Sequence, residues 1–136
     1  MLSAALRIQS GLSKRAAAGW DTESIAALVV SMWNDIHAAL VPIIGHRGVA
    51  ALFHRTLHLV RHDYPWLTAS QASLADPIDF AALQPALLRQ SLANVIAANG
   101  ALLEKFLEQL ASLIGESLTE RLLQAVVDIH SSGDAA

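Results

Sequence analysis

The chain has 136 residues, of which 54% are hydrophobic and 15% are charged, and its mean hydropathy is +0.42. Its formal net charge of −3 and its pI of about 6.0 argue against a nucleic-acid-binding surface over the whole domain. Because it contains no cysteine, disulfides, thiolate zinc sites, iron–sulfur clusters and cysteine nucleophiles are excluded.

Residues 1–20 form an N-terminal amphipathic segment that has basic residues and no acidic residue before Asp21. The segment superficially resembles a targeting presequence, but its apolar block is too short and too interrupted for a secretory signal. We interpret it as a frayed or partner-seeking amphipathic helix. No apolar run approaches the roughly 18 residues that cross a bilayer, so we expect a cytoplasmic protein without a membrane partner.

The first firm helix begins after a cap at Asp21 and ends, or breaks sharply, at Pro42 or Gly45. Its apolar residues recur at steps of three and four, as one buried helix face requires. A second amphipathic helix follows over residues 46–63. Pro65 predicts its end, because the residue before a proline disfavours helical geometry.

Residues 68–76 are small and polar, which predicts a loop, and a short helix follows at about 77–84. Pro85 then opens a long helix over residues 85–114. We expect this helix to be continuous through Asn99-Gly100, although that pair is alternatively a break between two shorter helices. Ser117-x-x-Glu120 fits a capping box for the last helix, and residues 131–136 form a loose tail.

The long helix carries a heptad-like apolar stripe that includes one polar residue. Its members are Leu92, Ile96, Asn99, Leu103, Phe106, Leu110 and Leu113. A small, charge-poor helical domain has difficulty covering its apolar surface alone, so we expect the stripe to form a homodimer interface. Packing of the stripe within the chain would bury the same residues.

Residues 43–53 and 113–123 share a layout in which an apolar pair and a glycine precede an amphipathic helix. The simplest physical interpretation is two helical hairpins packed together. We therefore predict an all-α, four-helix-bundle-like single domain over residues 1–136, with five or six helices as a variant. A glycine between two helices gives the same layout without a duplication of the chain.

The stretch His46–Asp63 contains four of the six histidines and three of the nine Lys and Arg residues. Its cationic side, which we name the basic surface, consists of Arg47, His54, Arg55, His58, Arg61 and His62. Three of these histidines recur at a four-residue step, a spacing that can bind zinc, copper or nickel. Because three arginines share their side, we expect neither a metal nor a cofactor there. Since histidine gains charge near pH 6.5, we interpret the basic surface as a pH-sensitive docking site for an acidic protein.

The sequence has no glycine-rich phosphate loop and no G-x-S-x-G or H-E-x-x-H motif, so we predict no catalytic residue and no enzyme activity. Glu104 and Glu108, with Lys105 between them, are interpreted as a solvated helix face. We expect a non-enzymatic regulatory or signalling module that acts as a homodimer. The alanine-rich composition, with more arginine than lysine, favours a bacterial origin.

Two alternatives involve other chemistry. A helical bundle with an exposed His54 or His58 resembles a histidine phosphotransfer domain, with Arg55 or Arg61 beside the phosphate, but the H-x-x-K-G segment is absent. Residues 52–57 and 64–67 resemble the early helices of globins, which implies a sensor that binds an apolar ligand. Because there is no histidine between His62 and His130, that sensor would be free of haem.

Overall fold

The computed structural model describes residues 3–68 and 80–130, and within those ranges the chain is all-helical, which confirms the predicted class. Seven α-helices are described, rather than four to six: α1 (Ser3–Ala17), α2 (Thr22–Val60), α3 (Pro65–Thr68), α4 (Gln84–Leu88), α5 (Leu92–Ile114), α6 (Glu116–Leu122) and α7 (Gln124–His130). Where a short helix was predicted at 77–84, the described residues form a 3-10 helix, Phe80–Leu83, followed directly by α4. The loop predicted beyond residue 68 and the tail at 131–136 lie outside the described residues.

Helix α2 consists of two helical segments that meet at a break. Its N-terminus is capped by Asp21, whose Oδ1 accepts a hydrogen bond from Ser24 N at 2.8 Å, and this bond lowers the pKa of the carboxyl group. Gly45 has φ +77° and ψ 167°, which are not helical values. The predicted break is thus confirmed at Gly45, whereas Pro42 lies inside the helix. We refer to the two parts as the 22–44 segment and the 46–60 segment.

Helix α5 begins at Leu92, so the prediction that Pro85 opens it is wrong. Ser91 is extended, and its Oγ accepts a hydrogen bond from Asn94 N at 3.2 Å. This side-chain cap starts a new helix after the short α4. The prediction that the long helix continues through Asn99 and Gly100 is confirmed.

The predicted capping box at Ser117 and Glu120 is wrong. Helix α6 begins at Glu116, directly after Gly115, and has no side-chain cap. Glu120 instead accepts a hydrogen bond at Oε1 from the backbone N of Ala4 at 3.3 Å. This carboxylate therefore binds a free backbone amide at the start of α1 rather than one at the start of α6.

Helix α1 is part of the core, so the expectation of a frayed N-terminal helix is wrong. Ala4, Ala5 and Ile8 are fully buried, and Leu12 is 1% exposed. The helix packs against α5 and α7. Its amphipathic pattern is explained by burial of its apolar face within the chain and does not require a partner protein.

The centre of the core is an aromatic cluster around Trp33, which is fully buried. The rings of Phe53 and Phe106 meet the indole edge-on at centroid distances of 5.0 and 5.2 Å, and Phe80 stacks on it at 6.0 Å. These three are all the phenylalanines of the chain. Because such pairs add stability beyond the area that they bury, Trp33 joins the 46–60 segment, the 3-10 helix and α5 to the 22–44 segment.

A chain of polar side chains crosses the same core. Trp33 Nε1 donates to Asn99 Oδ1 at 3.0 Å, and Asn99 Nδ2 donates to Gln9 Oε1 at 2.9 Å. Gln9 Nε2 then donates to the carbonyl oxygen of Ile96 at 2.9 Å. Asn99 thus fixes how α1, α2 and α5 are placed relative to one another inside one chain.

The glycine layout belongs to a longer structural repeat. Asp21 and Ser91 cap helical stretches that end at Gly45 and Gly115, and the members of each pair are 70 positions apart. The two glycines have similar backbone angles, φ +77° and ψ 167° against φ +90° and ψ 154°. A second helical stretch follows each glycine. Buried residues also recur at this offset: Ile25 and Val95, Met32 and Leu102, Trp33 and Leu103, Ile36 and Phe106, Leu40 and Leu110, Val49 and Thr119, Phe53 and Leu123, Leu57 and Val127, Val60 and His130.

We name residues 21–60 unit one and residues 91–130 unit two. The central helices of the two units, the 22–44 segment of α2 and α5, belong to the most extensive helix pair of the described structure. The preceding helices cross over, since α1 packs on α5 whereas the 3-10 helix and α4 pack on α2. Each unit therefore completes the core of the other.

Part of α2 is long and apolar enough to cross a membrane by length and composition, contrary to the expectation that no such run exists. Core helices of soluble proteins and signal sequences share these properties. In this fold, Ile25, Trp33 and Ile36 of the same helix are fully buried in the core.

We expect Asn99→Leu to lower the free energy of unfolding by about 1–3 kcal/mol, because Trp33 Nε1 and the Gln9 amide lose their buried partner. Urea denaturation measures the change. Adding Trp33→Phe should cost less than the sum of the two single variants, since the indole donor is then absent. The exposed Asn94→Ala serves as the control and should change stability by less than about 0.5 kcal/mol. Equal stability of Asn99→Leu and wild type would contradict the role of Asn99.

We expect Gly45→Ala and Gly115→Ala each to cost about 1–3 kcal/mol, because L-residues avoid these backbone angles. No atom lies within 4 Å of a Cβ built at either position, so the cost would come from the backbone alone. A D-alanine introduced at Gly45 by semisynthesis is the matched control, since these angles mirror an extended L-conformation, and it should not destabilise. If L- and D-alanine had the same effect in thermal unfolding, the backbone explanation would fail.

Candidate functional site

The basic surface lies along the 46–60 segment and the turn that follows it. Five of its six side chains are exposed, and that of His54 is half-buried. Arg61 caps the segment, and its Nη1 donates to the carbonyl oxygen of His58 at 2.6 Å. Arg47 and His54 take part in interactions within the chain. Since residues 46–62 contain no acidic side chain, this surface is cationic along its whole length.

The histidine step of this surface does not form a metal cluster. Within residues 3–68 and 80–130, no group of three histidine or carboxylate side chains converges. The helix also ends at Val60, so His62 lies in the turn rather than on the helix.

A groove of about 640 Å³ adjoins the basic surface, between the 46–60 segment and the C-terminal half of α5. Leu59 and Leu113 line it and are 44% and 66% exposed. The complete lining is Leu52, Arg55, Leu59, Lys105, Glu108, Gln109, Ser112 and Leu113. Arg55 belongs to both features, which makes the groove and the basic surface continuous.

Hydrogen bonds between the two walls set the width of the groove. Gln109 Nε2 donates to Thr56 Oγ1 at 2.8 Å, and Thr56 Oγ1 donates to the Leu52 carbonyl oxygen at 2.7 Å. Gln109 Oε1 is buried and has no hydrogen-bond partner. This atom is enclosed by the protein, so a molecule in the groove does not reach it.

The charges of the groove are mostly positive. Lys105 Nζ lies 3.7 Å from Glu108 Oε2, and both side chains are well exposed to water. An exposed pair at this distance contributes little and exchanges readily for another partner. Arg55 and Lys105 can therefore bind carboxylates beside an apolar strip formed by the leucines.

A histidine pair spans the break at Gly45. His37 Nε2 and His46 Nδ1 lie 3.3 Å apart, and the His37 ring also contacts Phe80 edge-on at a centroid distance of 6.1 Å. Burial lowers the pKa of His37, and the charge of nearby His46 lowers it further. One ring must offer its lone pair to the other, so the contact requires that they are not both protonated.

A second histidine contact lies on the other side of the fold. His130 Nε2 is 2.9 Å from Asp35 Oδ2, and Arg15 Nη1 donates to the His130 carbonyl oxygen at 3.0 Å. His130 is only 2% exposed. Since its ring is closed to solvent, we interpret these contacts as ties of α7 to α1 and α2 rather than as a catalytic dyad.

The apolar stripe that was expected to form a dimer interface lies mostly inside the chain. Leu92 and Ile96 are half-buried and Leu113 is exposed, whereas the other four members are buried against other helices of the same chain: Asn99, Leu103, Phe106 and Leu110. Those four side chains are not accessible to a second copy. A homodimer stays a prediction, and it would need other residues.

The groove was not predicted from the sequence, although Arg55 and Lys105 can be recognised there as surface charges. Lys105 was placed with Glu104 and Glu108 on a solvated face, and the exposed Leu59 reads as part of the apolar side of its helix. Nothing local in the sequence links Leu59 to Leu113, because their contact depends on how two distant helices pack. The His37 and His46 pair was missed because Gly45 changes the helical spacing between them.

We expect the protein to lose stability as the pH falls from 7 through about 6.5, the usual histidine pKa. His37 binds a proton less tightly when folded than when unfolded, so unfolding takes up protons in this range. His37→Gln should reduce this dependence, as measured by urea denaturation at several pH values. The exposed His58→Gln should leave it unchanged. Identical pH profiles for wild type and His37→Gln would overturn this assignment.

The chain matches no protein-family model, no curated protein and no solved structure. Its function is therefore argued from the described residues themselves. Among these, the groove combines two exposed leucines with the cations Arg55 and Lys105 and one carboxylate, Glu108.

Proposed function

We propose that this chain is a non-enzymatic interaction module, regulatory or signalling in role, that docks an acidic and partly apolar surface of a partner protein. The observation that carries the proposal is the groove, in which Leu59 and Leu113 are exposed beside Arg55 and Lys105. An apolar strip bordered by charges is typical of protein–protein contact sites.

The two kinds of side chain would have different roles in docking. Burial of the leucines would supply most of the affinity, because removing apolar area from water is the main favourable term in association. The cations would orient an acidic partner and speed its approach. Binding should therefore weaken as the ionic strength rises, since exposed charges are screened at about 10 Å in 0.1 M salt.

The openness of the groove favours a segment of a protein over a small molecule. It is an open surface feature with charged residues along its rim, whereas small-molecule sites are mostly concave and apolar. An amphipathic helix that presents leucine-sized residues and carboxylates has the chemistry to bind there. Phosphotransfer through His54 or His58 and the haem-free sensor remain predictions from the sequence.

We expect a photoreactive benzoylphenylalanine placed at Leu59 to form a covalent adduct with a protein partner in the cells that produce the chain. Arg55→Glu with Lys105→Glu in the same chain should reduce the adduct at least about tenfold, because an acidic surface is then repelled. Mass spectrometry of the adduct identifies the partner and its contact peptide.

The matched control carries the same photoreactive residue at Leu6, which is 57% exposed on α1 and does not line the groove. This position should give no comparable adduct. Equal labelling at both positions, or no protein adduct at Leu59, would contradict the proposed docking site.

A further inference from the structure

We infer that the partner of the groove is a second copy of this chain, which presents the outer side of its α6 and α7. This inference rests on the proposed docking function and names the occupant. It commits to a head-to-tail contact, in which the groove and the basic surface of one molecule meet the outer side of α6 and α7 of the next.

The structural repeat places α6 and α7 in unit two where the 46–60 segment lies in unit one. At two exposed positions a histidine of unit one corresponds to an acidic residue of unit two: His46 corresponds to Glu116, and His58 corresponds to Asp128. The 46–62 stretch contains three arginines and no acid, whereas residues 116–130 contain three acids and one arginine. The two units thus share a backbone plan and present complementary surfaces.

The exposed apolar side chains follow the same repeat. Of the seven large hydrophobic residues exposed in the described part of the chain, four form two pairs at the offset of 70 positions. Leu59 and Ile129 are 44% and 59% exposed, and Leu113 and Ile43 are 66% and 49% exposed. Leu59 and Leu113 line the groove beside its cations, and Ile129 and Ile43 occupy the equivalent positions of the other unit in each case.

Asp128 of unit two and Asp35 of unit one supply carboxylates near Ile129 and its helix. Asp128 is exposed and accepts a hydrogen bond from Gln124 Nε2 at 2.8 Å, which holds its carboxylate in place. Asp35 is in contact with His130 of α7, its side chain is 41% exposed, and its position corresponds to that of Lys105 in unit two. A face that combines Ile129 with these carboxylates has the chemistry that the groove requires.

A contact between the groove and the outer side of α6 and α7 leaves one free surface of each kind on every dimer. Association of this type continues head to tail unless the rotation between neighbours closes a ring. The assembly should therefore grow with protein concentration, and it should dissociate as salt screens the charges.

The test uses one substitution at equivalent positions of the two units. Leu59→Asp disables the groove and Ile129→Asp disables the opposing face, while each variant keeps the other surface intact. Sedimentation of the full chain from about 1 to 200 µM should show wild-type assemblies larger than the 14.5 kDa monomer. Each variant alone should associate at least about tenfold more weakly. An equimolar mixture should form a heterodimer and stop there, because only one competent surface of each kind remains.

Leu6→Asp is the matched control and should assemble like wild type. Far-UV circular dichroism and the melting temperature establish that each variant is folded, and Leu59→Ser and Ile129→Ser replace any variant that is not. Wild-type assembly that Ile129→Asp leaves intact overturns the inference. So does a monomeric wild type whose Leu59 adduct contains a different protein, although that result supports the proposed docking function. No adduct at Leu59 would contradict the docking function itself.

Discussion

The fold depends on how the Trp33 indole is held. Its faces and edges are covered by the phenylalanines of three other segments, and its single polar atom donates to Asn99. A buried indole N–H needs an acceptor, so Asn99 must lie opposite it, and this fixes α5 against the 22–44 segment. Phe53 packs against the same ring, and this contact places the 46–60 segment beside α5. The groove between them is a consequence of this arrangement.

Patterns of neighbouring residues in the sequence predicted those parts of the fold that neighbouring residues determine. The break at Gly45 follows from the conformational freedom of glycine, and the continuity of α5 at Asn99 follows from the apolar residues on both sides. The contacts that decide packing could not be predicted in this way. Asn99 in an apolar stripe has the same sequence signal whether its partner is another chain or Gln9, which lies 90 residues away. Likewise, Glu120 accepts a hydrogen bond from Ala4 N instead of capping α6, and nothing local in the sequence shows this contact.

The candidate site, too, could be predicted only where its residues are close together in the sequence. The basic surface could be predicted because all six residues lie on one short stretch, where helical spacing decides which side chains share a face. The groove could not, because its second wall comes from α5, and Leu113 and Lys105 meet Leu59 only after the two helices pack. The histidine spacing suggested metal chemistry, whereas the structure places a groove with an exposed leucine, Leu59, beside these histidines.

The repeat places two surfaces that differ in charge at equivalent positions of one chain. Buried positions of the two units agree because the units pack on each other through α2 and α5, and a change there would disturb both. Exposed positions are free of that constraint, and some of them differ in charge, as His58 and Asp128 show. In the contact that we infer, identical faces would repel each other through their like charges. The basic 46–62 stretch and the acidic residues of α6 and α7 would remove that repulsion and set the direction of the contact, from the groove of one molecule to α7 of the next.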